Sequence, residues 1–362
     1  MTNKKNRAAR AVVATSAVAA LMTLAACSGG GSTGADGDGG LSGTVNVIGY
    51  SGIWQERYTE AVIQPFQEAN PGVTINYVAK RSSAEMLSAL QSQQSNPGTD
   101  VALMDQSVAK SGNDQGLFAE LTEDEIPNLA NVKDEFLDPD GFGPVVHLDG
   151  IGILYDTTVF DEAPTSWEEL WNDDWKGKVN LMAPPSLLGL AVTAVASTLE
   201  GEDYTQSVDE GVAKLKELAP NVQTFAPNPD EWQSIITGQT VIGVGQNARG
   251  QYYADESDGK LGIAFPEEGT IYQLNTVNLV ENAPNEAAAQ AFVDYTLSEE
   301  AQLAFAEALY YAPSVDVDIP AETAERIVAT DGSIEILPLE TEFLASVRDS
   351  WTEIWKKDII SQ

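Results

Sequence analysis

Residues 44–78 read TVNVIGYSGIWQERYTEAVIQPFQEANPGVTINYV, and the order of elements that they predict indicates the class of fold. Apolar and polar residues alternate over 44–50, which predicts a strand. Apolar residues then recur at helical spacing over 54–70, until the Pro-Gly pair at 71–72 ends the helix. A second alternating run over 73–78 predicts another strand. Two strands joined by a helix predict a parallel pair with a helical crossover.

The same order of elements continues outward from this stretch. Ser82-Ser83-Ala84-Glu85 is a capping box that opens a second helix, and a third strand is predicted over 100–104. After Gly150 the pattern starts again, with strands predicted over 151–155, 179–182, 240–244 and 262–265. One long strand over 271–280 could pass between the two blocks. The prediction is an α/β protein of two lobes, each built on an open α/β sheet.

The N-terminus has the pattern of an export signal. Four basic residues precede 16 uncharged residues over 11–26, and Leu24-Ala25-Ala26-Cys27 closes the segment. This is too short for a lasting membrane span. The motif is similar to the bacterial lipobox, in which the cysteine is lipidated, and Cys27 is the only cysteine of the chain. The alternative is a plain secretory signal, in which Cys27 has no role.

The charge of the chain excludes some classes of function. Its 55 acidic and 19 basic residues give a net charge of −36, and loss of residues 1–26 takes this to −40. Such a surface repels nucleic acid. A single His and a single Cys cannot build a zinc finger or a disulfide framework. We therefore expect no nucleic-acid partner, no metal site and no cofactor.

The motifs for catalysis are weak. His147 lies between apolar neighbours, which favours a structural role. Residues 243–248, GVGQNA, fit the dinucleotide fingerprint G-x-G-x-x-A, but the motif comes late in the chain and the protein is predicted to be exported. Glycines that allow close approach of the backbone are the simpler interpretation. The remaining enzymatic hypothesis is an extracytoplasmic enzyme that uses Asp105 and a second carboxylate of the cleft as acid and base. The sequence analysis therefore favours a protein that is not an enzyme.

In open α/β sheets, ligands bind beyond the carboxyl ends of the strands. In this chain those ends lead into the loops 49–53, 79–83, 105–107, 183–186 and 245–249. If the two lobes face each other, the site is the cleft between them.

Over residues 43–355 the chain resembles the substrate-binding lipoproteins of ABC importers, in the branch of polyamine-, thiamine- and ferric-iron-binding proteins. The resemblance is carried by GTDVALMD, GIGILYDTTVF, PTSWEELWNDDWKGKVNL, FPEEGTIYQLNTVNLV and FVDYTLSEEAQLAF, in that order. It implies a type II periplasmic-binding-protein fold that closes on a small ligand and delivers it to a permease and its ATPase. It also implies a monomer on the outer face of the cell membrane, held by a lipid anchor.

The resemblance also implies how the chain is divided. Residues 1–26 are the signal peptide, and residues 27–43 are the lipidated cysteine with a glycine-rich tether. Lobe 1 comprises residues 44–148 and about 276–340, and lobe 2 comprises residues 149–275 and about 341–362. The chain would cross between the lobes near Leu148 and near Asn275.

The identity of the ligand is less well defined. The polyamine-binding members surround their ligand with aromatic and acidic side chains. Trp54 matches one of the aromatic positions, and Asp105 matches a position of polar contact. Pro184 and Leu187 replace an acidic pair that is expected in those proteins. Arg249 at a strand end could hold a carboxylate and, with Asp105, a zwitterion such as an amino acid. The alternative is that Arg249 forms an ion pair on the surface of this acidic protein. The predicted ligand is a polyamine-like cation or an amino-containing zwitterion, with thiamine or ferric iron as alternatives. The candidate ligand-binding residues are Ser51, Trp54, Asp105, Ser107, Ser186, Gln246, Asn247, Arg249, Tyr272 and Asn275.

Overall fold

The computed structural model describes residues 40–361. The predicted signal peptide, Cys27 and most of the tether lie outside these residues. The strands are β1 (Gly43–Tyr50), β2 (Val73–Lys80), β3 (Val101–Asp105), β4 (Val145–Asp156), β5 (Val179–Asn180), β6 (Val222–Thr224), β7 (Ile242–Gln246), β8 (Leu261–Ala264), β9 (Tyr272–Leu279) and β10 (Ala312–Pro313).

The helices are α1 (Ile53–Tyr58), α2 (Gln64–Ala69), α3 (Ser83–Gln93), α4 (Gln106–Asn113), α5 (Leu187–Leu199), α6 (Asp209–Leu218), α7 (Glu231–Ile236), α8 (Asn247–Glu256), α9 (Glu286–Thr296), α10 (Glu299–Leu309), α11 (Ala321–Ala324) and α12 (Thr341–Ile354). A π-helical segment, Thr59–Ile63, joins α1 to α2, and a second, Trp355–Ile360, follows α12. In residues 40–361 no helix is both long and apolar enough to cross a membrane.

The strands form a mixed sheet in the order β2-β1-β3-β9-β4-β7-β5-β6, with β8 and β10 also paired to β4. The predicted parallel pairing is confirmed for β1 with β2 and β3, and it recurs for β5 with β6 and β7. β4 and β9 run antiparallel to their neighbours, which the sequence reading did not predict. The two parallel groups therefore meet through β4.

Strand β4 changes its partners halfway along its length. Its first half pairs with β9 and β10, up to Gly150 opposite Tyr272. From Ile151 onward it pairs with β7 and β8. The boundary between the two parallel groups therefore lies at Asp149, Gly150 and Ile151. In such sheets this is the place where ligands bind.

Buried side chains form one large cluster on each side of this switch. The first cluster joins β1 and β3 with α9 and α10, and includes Trp54, Phe292 and Phe305. The second joins β5 and β7 with α5 and the C-terminal segment, and includes Leu188 and Trp355. Each cluster buries one face of its own strands, as a lobe with its own core does.

Polar residues fix the ends of the helices in both parts of the fold. The hydroxyl of Ser82 accepts the Glu85 N–H at 3.3 Å, as the capping box predicts. The Glu85 carboxylate turns to Arg81 and accepts both its backbone N–H and its guanidinium. Ser186 caps α5 by accepting the Leu188 N–H at 3.3 Å.

Candidate functional site

Asp105 ends β3 and caps α4. Its Oδ1 accepts the Ser107 backbone N–H at 3.0 Å and also the Ser107 hydroxyl. Burial raises the pKa of Asp105, while Ser107 and Arg348 act in the opposite direction. The carboxylate is thus held at the carboxyl end of a central strand, where the sequence analysis placed a ligand contact.

A small polar network lies beside Asp105. The Tyr50 hydroxyl donates to Asn275 Oδ1 at 3.0 Å and lies 2.8 Å from Ser83 Oγ. Ser83 Oγ accepts the Asp105 backbone N–H at 3.0 Å. Asn275 is 2% exposed, and its Nδ2 is buried without a partner in the described chain. A buried amide donor without a partner costs free energy, so it is available to a bound ligand.

Arg249 lies in the first turn of α8, directly after β7. Its guanidinium stacks on the Trp232 ring with 4.8 Å to the ring centroid, and its Nε is buried without a partner. It forms no ion pair within residues 40–361, which contradicts the surface-ion-pair alternative. Burial lowers the pKa of Arg249, but Tyr311, Glu231 and Asp149 raise it above its ordinary value.

Two buried carboxylic acids accompany Arg249. Asp149 is fully buried, and its Oδ1 accepts the Ala248 N–H at 2.9 Å, which caps α8, while its Oδ2 has no partner among the described residues. Glu231 opens α7 and is 3% exposed. Burial raises the pKa of each to about 7, and Arg249 opposes the shift in both cases.

Asp149 and Glu231 were missed by the sequence reading, which found no second acidic residue at the strand-end loops. For Asp149 a signal was present, because a carboxylate inside the apolar run VVHLDGIGILY of β4 has to be buried. Glu231 comes at the start of a short helix, where acidic residues are common, and gave no such signal.

The remaining candidates have varied surroundings. Trp54 is 1% exposed and stacks on Tyr58 at 4.5 Å, inside the first core. Ser51 is partly buried at the end of β1, and Gln246 is buried with its Oε1 lacking a partner in the described chain. Asn247 donates to the Arg326 carbonyl at 2.8 Å, and Tyr272 donates to the Ala329 carbonyl at 2.6 Å. These last two polar groups are engaged by the chain itself.

A small cavity of about 20 Å³ lies between Asp105 and the second core. Its walls are Asp105, Gln106, Ser107, Leu187, Tyr272, Leu274, Leu339 and Leu344. The structure thus brings Asp105, Ser107 and Tyr272 around one space, with Asn275 in the network behind Asp105. Leu339 lies just before α12 and Leu344 lies within it, in a part of the chain where the sequence analysis named no ligand-binding residue.

The dinucleotide fingerprint has a packing explanation. A Cβ at Gly243 would lie 2.5 Å from Asn180 Oδ1, and a Cβ at Gly245 would lie 2.5 Å from a Leu154 methyl. In the first turn of the following helix, the Ala248 N–H donates to the Asp149 carboxyl group, which belongs to the chain itself. These glycines therefore serve close packing of β7.

His147 lies in the first core, and its Nδ1 has no hydrogen-bond partner among the residues that the structure describes. It is 2% exposed, 4.5 Å from the Phe305 ring, and burial lowers its pKa to about 3. No group of His, Cys, Asp and Glu in residues 40–361 could hold a metal ion.

Comparisons with known proteins identify the family and the fold. The family model described as bacterial extracellular solute-binding protein matches residues 61–324. The gamma-aminobutyric acid-binding protein of Pseudomonas aeruginosa is 26% identical over 282 residues, which cover 75% of this chain and 76% of that protein. Spermidine/putrescine-binding periplasmic protein 1 of Haemophilus influenzae is 23% identical over 259 residues, which cover 69% of this chain and 71% of that protein.

Solved structures share the fold. The crystal structure of an ABC transporter from Clostridium perfringens matches with a TM-score of 0.69 and 25% identity, covering 87% of this chain and 99% of that one. The architecture is the two-lobe α/β fold of periplasmic solute-binding proteins. Because the family model spans well over half of the 362 residues, the chain belongs to the bacterial extracellular solute-binding proteins, which bind small ligands outside the cell and deliver them to the permeases of ABC importers.

Proposed function

We propose that this protein captures a small zwitterion with an ammonium group and a carboxylate, of the ω-amino acid type. The observation that carries the proposal is Arg249, a mostly buried guanidinium without an ion pair in the described chain, whose charge acts on Tyr50, as that of Asp105 does. A guanidinium binds a carboxylate through two parallel hydrogen bonds, and a carboxylate attracts an ammonium group. The two side chains would hold opposite ends of the ligand.

The charges around the cleft support a ligand with no net charge. Arg249 and Arg348 carry one positive charge each. Opposite them stand the carboxyl groups of Asp105, Asp149 and Glu231, whose pKa values burial raises. A zwitterion leaves this balance unchanged, whereas a diamine or a ferric ion adds two or three positive charges to a low-dielectric site.

The relatives support the same class of ligand. One of them is named as a gamma-aminobutyric acid-binding protein, and that ligand is an ω-amino acid. The second candidate is a polyamine-like cation, because three carboxyl groups lie near the cleft and another relative is named for spermidine and putrescine. Trp54 contributes less to this alternative, since it packs within the core.

A thermal-shift panel tests the proposal. It should include ω-amino acids, α-amino acids, putrescine, spermidine, thiamine and ferric iron. A ligand at about 100 times its Kd stabilises a protein by about 2.7 kcal/mol, which is easily measured. We expect the ω-amino acids to give the largest rise in Tm. A larger rise with putrescine or spermidine would favour the second candidate, and a rise with thiamine or iron alone would contradict both.

We infer that the protein has no enzymatic activity and that binding is its whole chemistry. The rival is an acid–base enzyme that uses Asp105 with Asp149 or Glu231. Incubating the protein with the best ligand of the panel and analysing the mixture by mass spectrometry distinguishes them. We expect the ligand to be recovered unchanged, whereas the enzyme hypothesis requires a product that accumulates with time.

The location and the division of the chain are also proposals. The Leu-Ala-Ala-Cys motif supports lipidation of Cys27 and anchoring of a monomer to the membrane. Lobe 1 would comprise residues 44–148 and about 276–340, with the rest of the body in lobe 2, in keeping with the two buried clusters. Mass spectrometry of the protein extracted from membranes should show a lipid on Cys27, and Cys27→Ser should release the protein into the soluble fraction.

A further inference from the structure

Arg348 brings a second guanidinium to the cleft. It lies on α12, one turn after Leu344, which lines the small cavity beside Asp105. Residues four apart lie on the same side of a helix, so Leu344 and Arg348 both belong to the face of α12 that is turned toward the cleft. The buried side chains Leu344 and Trp351 fix α12 against α5 and α6.

The guanidinium of Arg348 spans two parts of the molecule. Its Nη1 donates to the Pro185 carbonyl at 2.6 Å, in the loop before α5. Its Nη2 donates to Ser107 Oγ at 2.9 Å, on α4. Ser107 in turn donates its hydroxyl hydrogen to Asp105. One hydroxyl group therefore separates Arg348 from the carboxylate that the proposed function assigns to the ligand's ammonium group.

Arg348 forms no ion pair within residues 40–361, a property that it shares with Arg249. The other arginines of the described chain pair with carboxylates, Arg57 with Glu60, Arg81 with Glu85 and Arg326 with Asp255. The charge of Arg348 acts on Asp105, whose pKa it lowers, together with the hydrogen bond from Ser107, against the effect of burial. It compensates the one carboxylate that lines the cavity.

We propose that Arg348 is a specificity-determining residue, which disfavours ligands with two positive charges by compensating Asp105 and so favours ligands whose own charges cancel. This inference rests on the proposed function of the cleft and extends it, because it names the group that separates ω-amino acids from diamines. Specificity often depends on such a repulsive element as well as on attractive contacts.

The physical reason is the low dielectric of a partly closed cleft. A unit charge several ångströms away changes the energy of an ammonium group enough to alter its affinity by about tenfold or more. A diamine brings an ammonium group at each end, so it meets Arg249 at one end and Arg348 at the other. Arg348 repels the ammonium group beside Asp105 in both ligands, but at the far end of the ligand it repels the second ammonium group of a diamine and attracts the carboxylate of a zwitterion.

Isothermal titration calorimetry of putrescine and of 4-aminobutyrate tests this inference on the wild-type protein, Arg348→Gln and Arg348→Lys. We expect Arg348→Gln to bind putrescine at least about tenfold more tightly than the wild type and to gain clearly less affinity for 4-aminobutyrate, whereas an equal gain for both ligands would overturn the inference. Arg348→Lys retains the charge and should remain close to the wild type for putrescine. Arg348→Ala, which suits a helix, replaces Arg348→Gln if that variant fails to fold.

The matched control is Lys356→Gln. Lys356 lies on the same C-terminal segment, is exposed, and pairs with Glu353, so its loss changes the net charge equally away from the cleft. Putrescine affinity that is unchanged in Arg348→Gln, or raised equally in Lys356→Gln, would overturn the inference. If the proposed function is wrong, the wild type does not bind 4-aminobutyrate. The putrescine affinities of the wild type and Arg348→Gln can still be compared in that case.

Discussion

Arg249 places a positive charge inside the protein without an ion pair in the described chain, and Trp232, Tyr311 and two buried acids stabilise it there. Keeping such a group desolvated costs free energy, which a bound carboxylate offsets. We expect Arg249→Ala to weaken binding of 4-aminobutyrate about 100-fold or more, because the ligand loses a charged, bidentate partner.

Calorimetry checks this prediction. Arg249→Lys should retain part of the affinity, since it keeps the charge but not the planar fork. An unchanged Kd in Arg249→Ala would exclude the assigned role for this residue. Circular dichroism of the variant shows whether Asp149 and Glu231 still permit folding once their positive neighbour is gone.

Asp149 and Glu231 should give the stability a defined dependence on pH. Burial raises the pKa of both to about 7, whereas carboxyl groups of an unfolded chain titrate near pH ~4. Between these values the folded protein holds protons that the unfolded chain has released. The free energy of unfolding therefore falls as the pH rises through this window, and the fall ends above the folded pKa. His147, whose pKa burial lowers to about 3, offsets part of this fall below pH ~6.5, with one proton against two.

Urea unfolding between pH 5 and pH 8 measures this slope. Asp149→Asn keeps an oxygen for the Ala248 N–H and removes the titration, so it should flatten the slope. Glu123→Gln changes an exposed loop residue and should leave the slope as it is. Stability that is constant or rises from pH 5 to pH 8 in the wild type would contradict the prediction.

Among the elements, the first helix departs from a regular α-helix, and the spacing of its apolar residues explains why. The spacing predicts one helix over 54–70, and the structure has α1, a π-helical segment and α2 in continuous succession. Trp54, Tyr58, Val62 and Phe66 recur every fourth residue, and all are buried. In a regular α-helix, residues four apart differ by about 40° around the helix axis, so Phe66 would lie about 120° away from Trp54. The π-helical segment has more residues per turn and reduces this angle, which keeps the four side chains on one face.

Strand β7 owes its position to two glycines, and this leads to a test. A Cβ at Gly243 would lie 2.5 Å from Asn180 Oδ1 and 2.7 Å from the Asn180 carbonyl. We expect Gly243→Ala to lower the free energy of unfolding by about 1–3 kcal/mol, because backbone and buried amide have to move. Gly98→Ala is the control, since its nearest atom is 3.4 Å away. Equal stability of both variants in urea would contradict the packing explanation.

At the scale of the whole molecule, the space beside Asp105 is too small for an amino acid, at about 20 Å³. Arg348 and the C-terminal segment also lie across it. Ligand entry therefore requires the two sides of the cleft to separate, as in hinge closure around a ligand. The hinge would lie at the partner change of β4, next to Asp149 and Gly150.

Small-angle X-ray scattering tests this movement. We expect the ligand-free protein to have a larger radius of gyration than the structure, and the ligand to reduce it toward the value of the structure. A ligand that binds by calorimetry without changing the scattering curve would show that the cleft accommodates it without separation of the two sides. The wild type with a compound that does not bind in the thermal-shift panel is the control.

Local sequence patterns were sufficient to predict the two α/β blocks, the cap residues and the structural role of His147, and they carried the resemblance to the family. All of these depend on residues close together in the chain, whose periodicity and turn chemistry are visible in one dimension. The sequence analysis also named Asp105 and Arg249, since strand ends can be read from the same patterns.

Only the tertiary structure assembled the charges of the site. Ser107 meets Arg348 across 241 positions, and Asp149 meets Ala248 across 99. No periodicity connects residues so far apart, and a buried carboxyl differs from a solvated one only through the groups packed around it. The elements were therefore predictable from local physics, while the charge balance that would select the ligand depended on how β4, α8 and α12 come together.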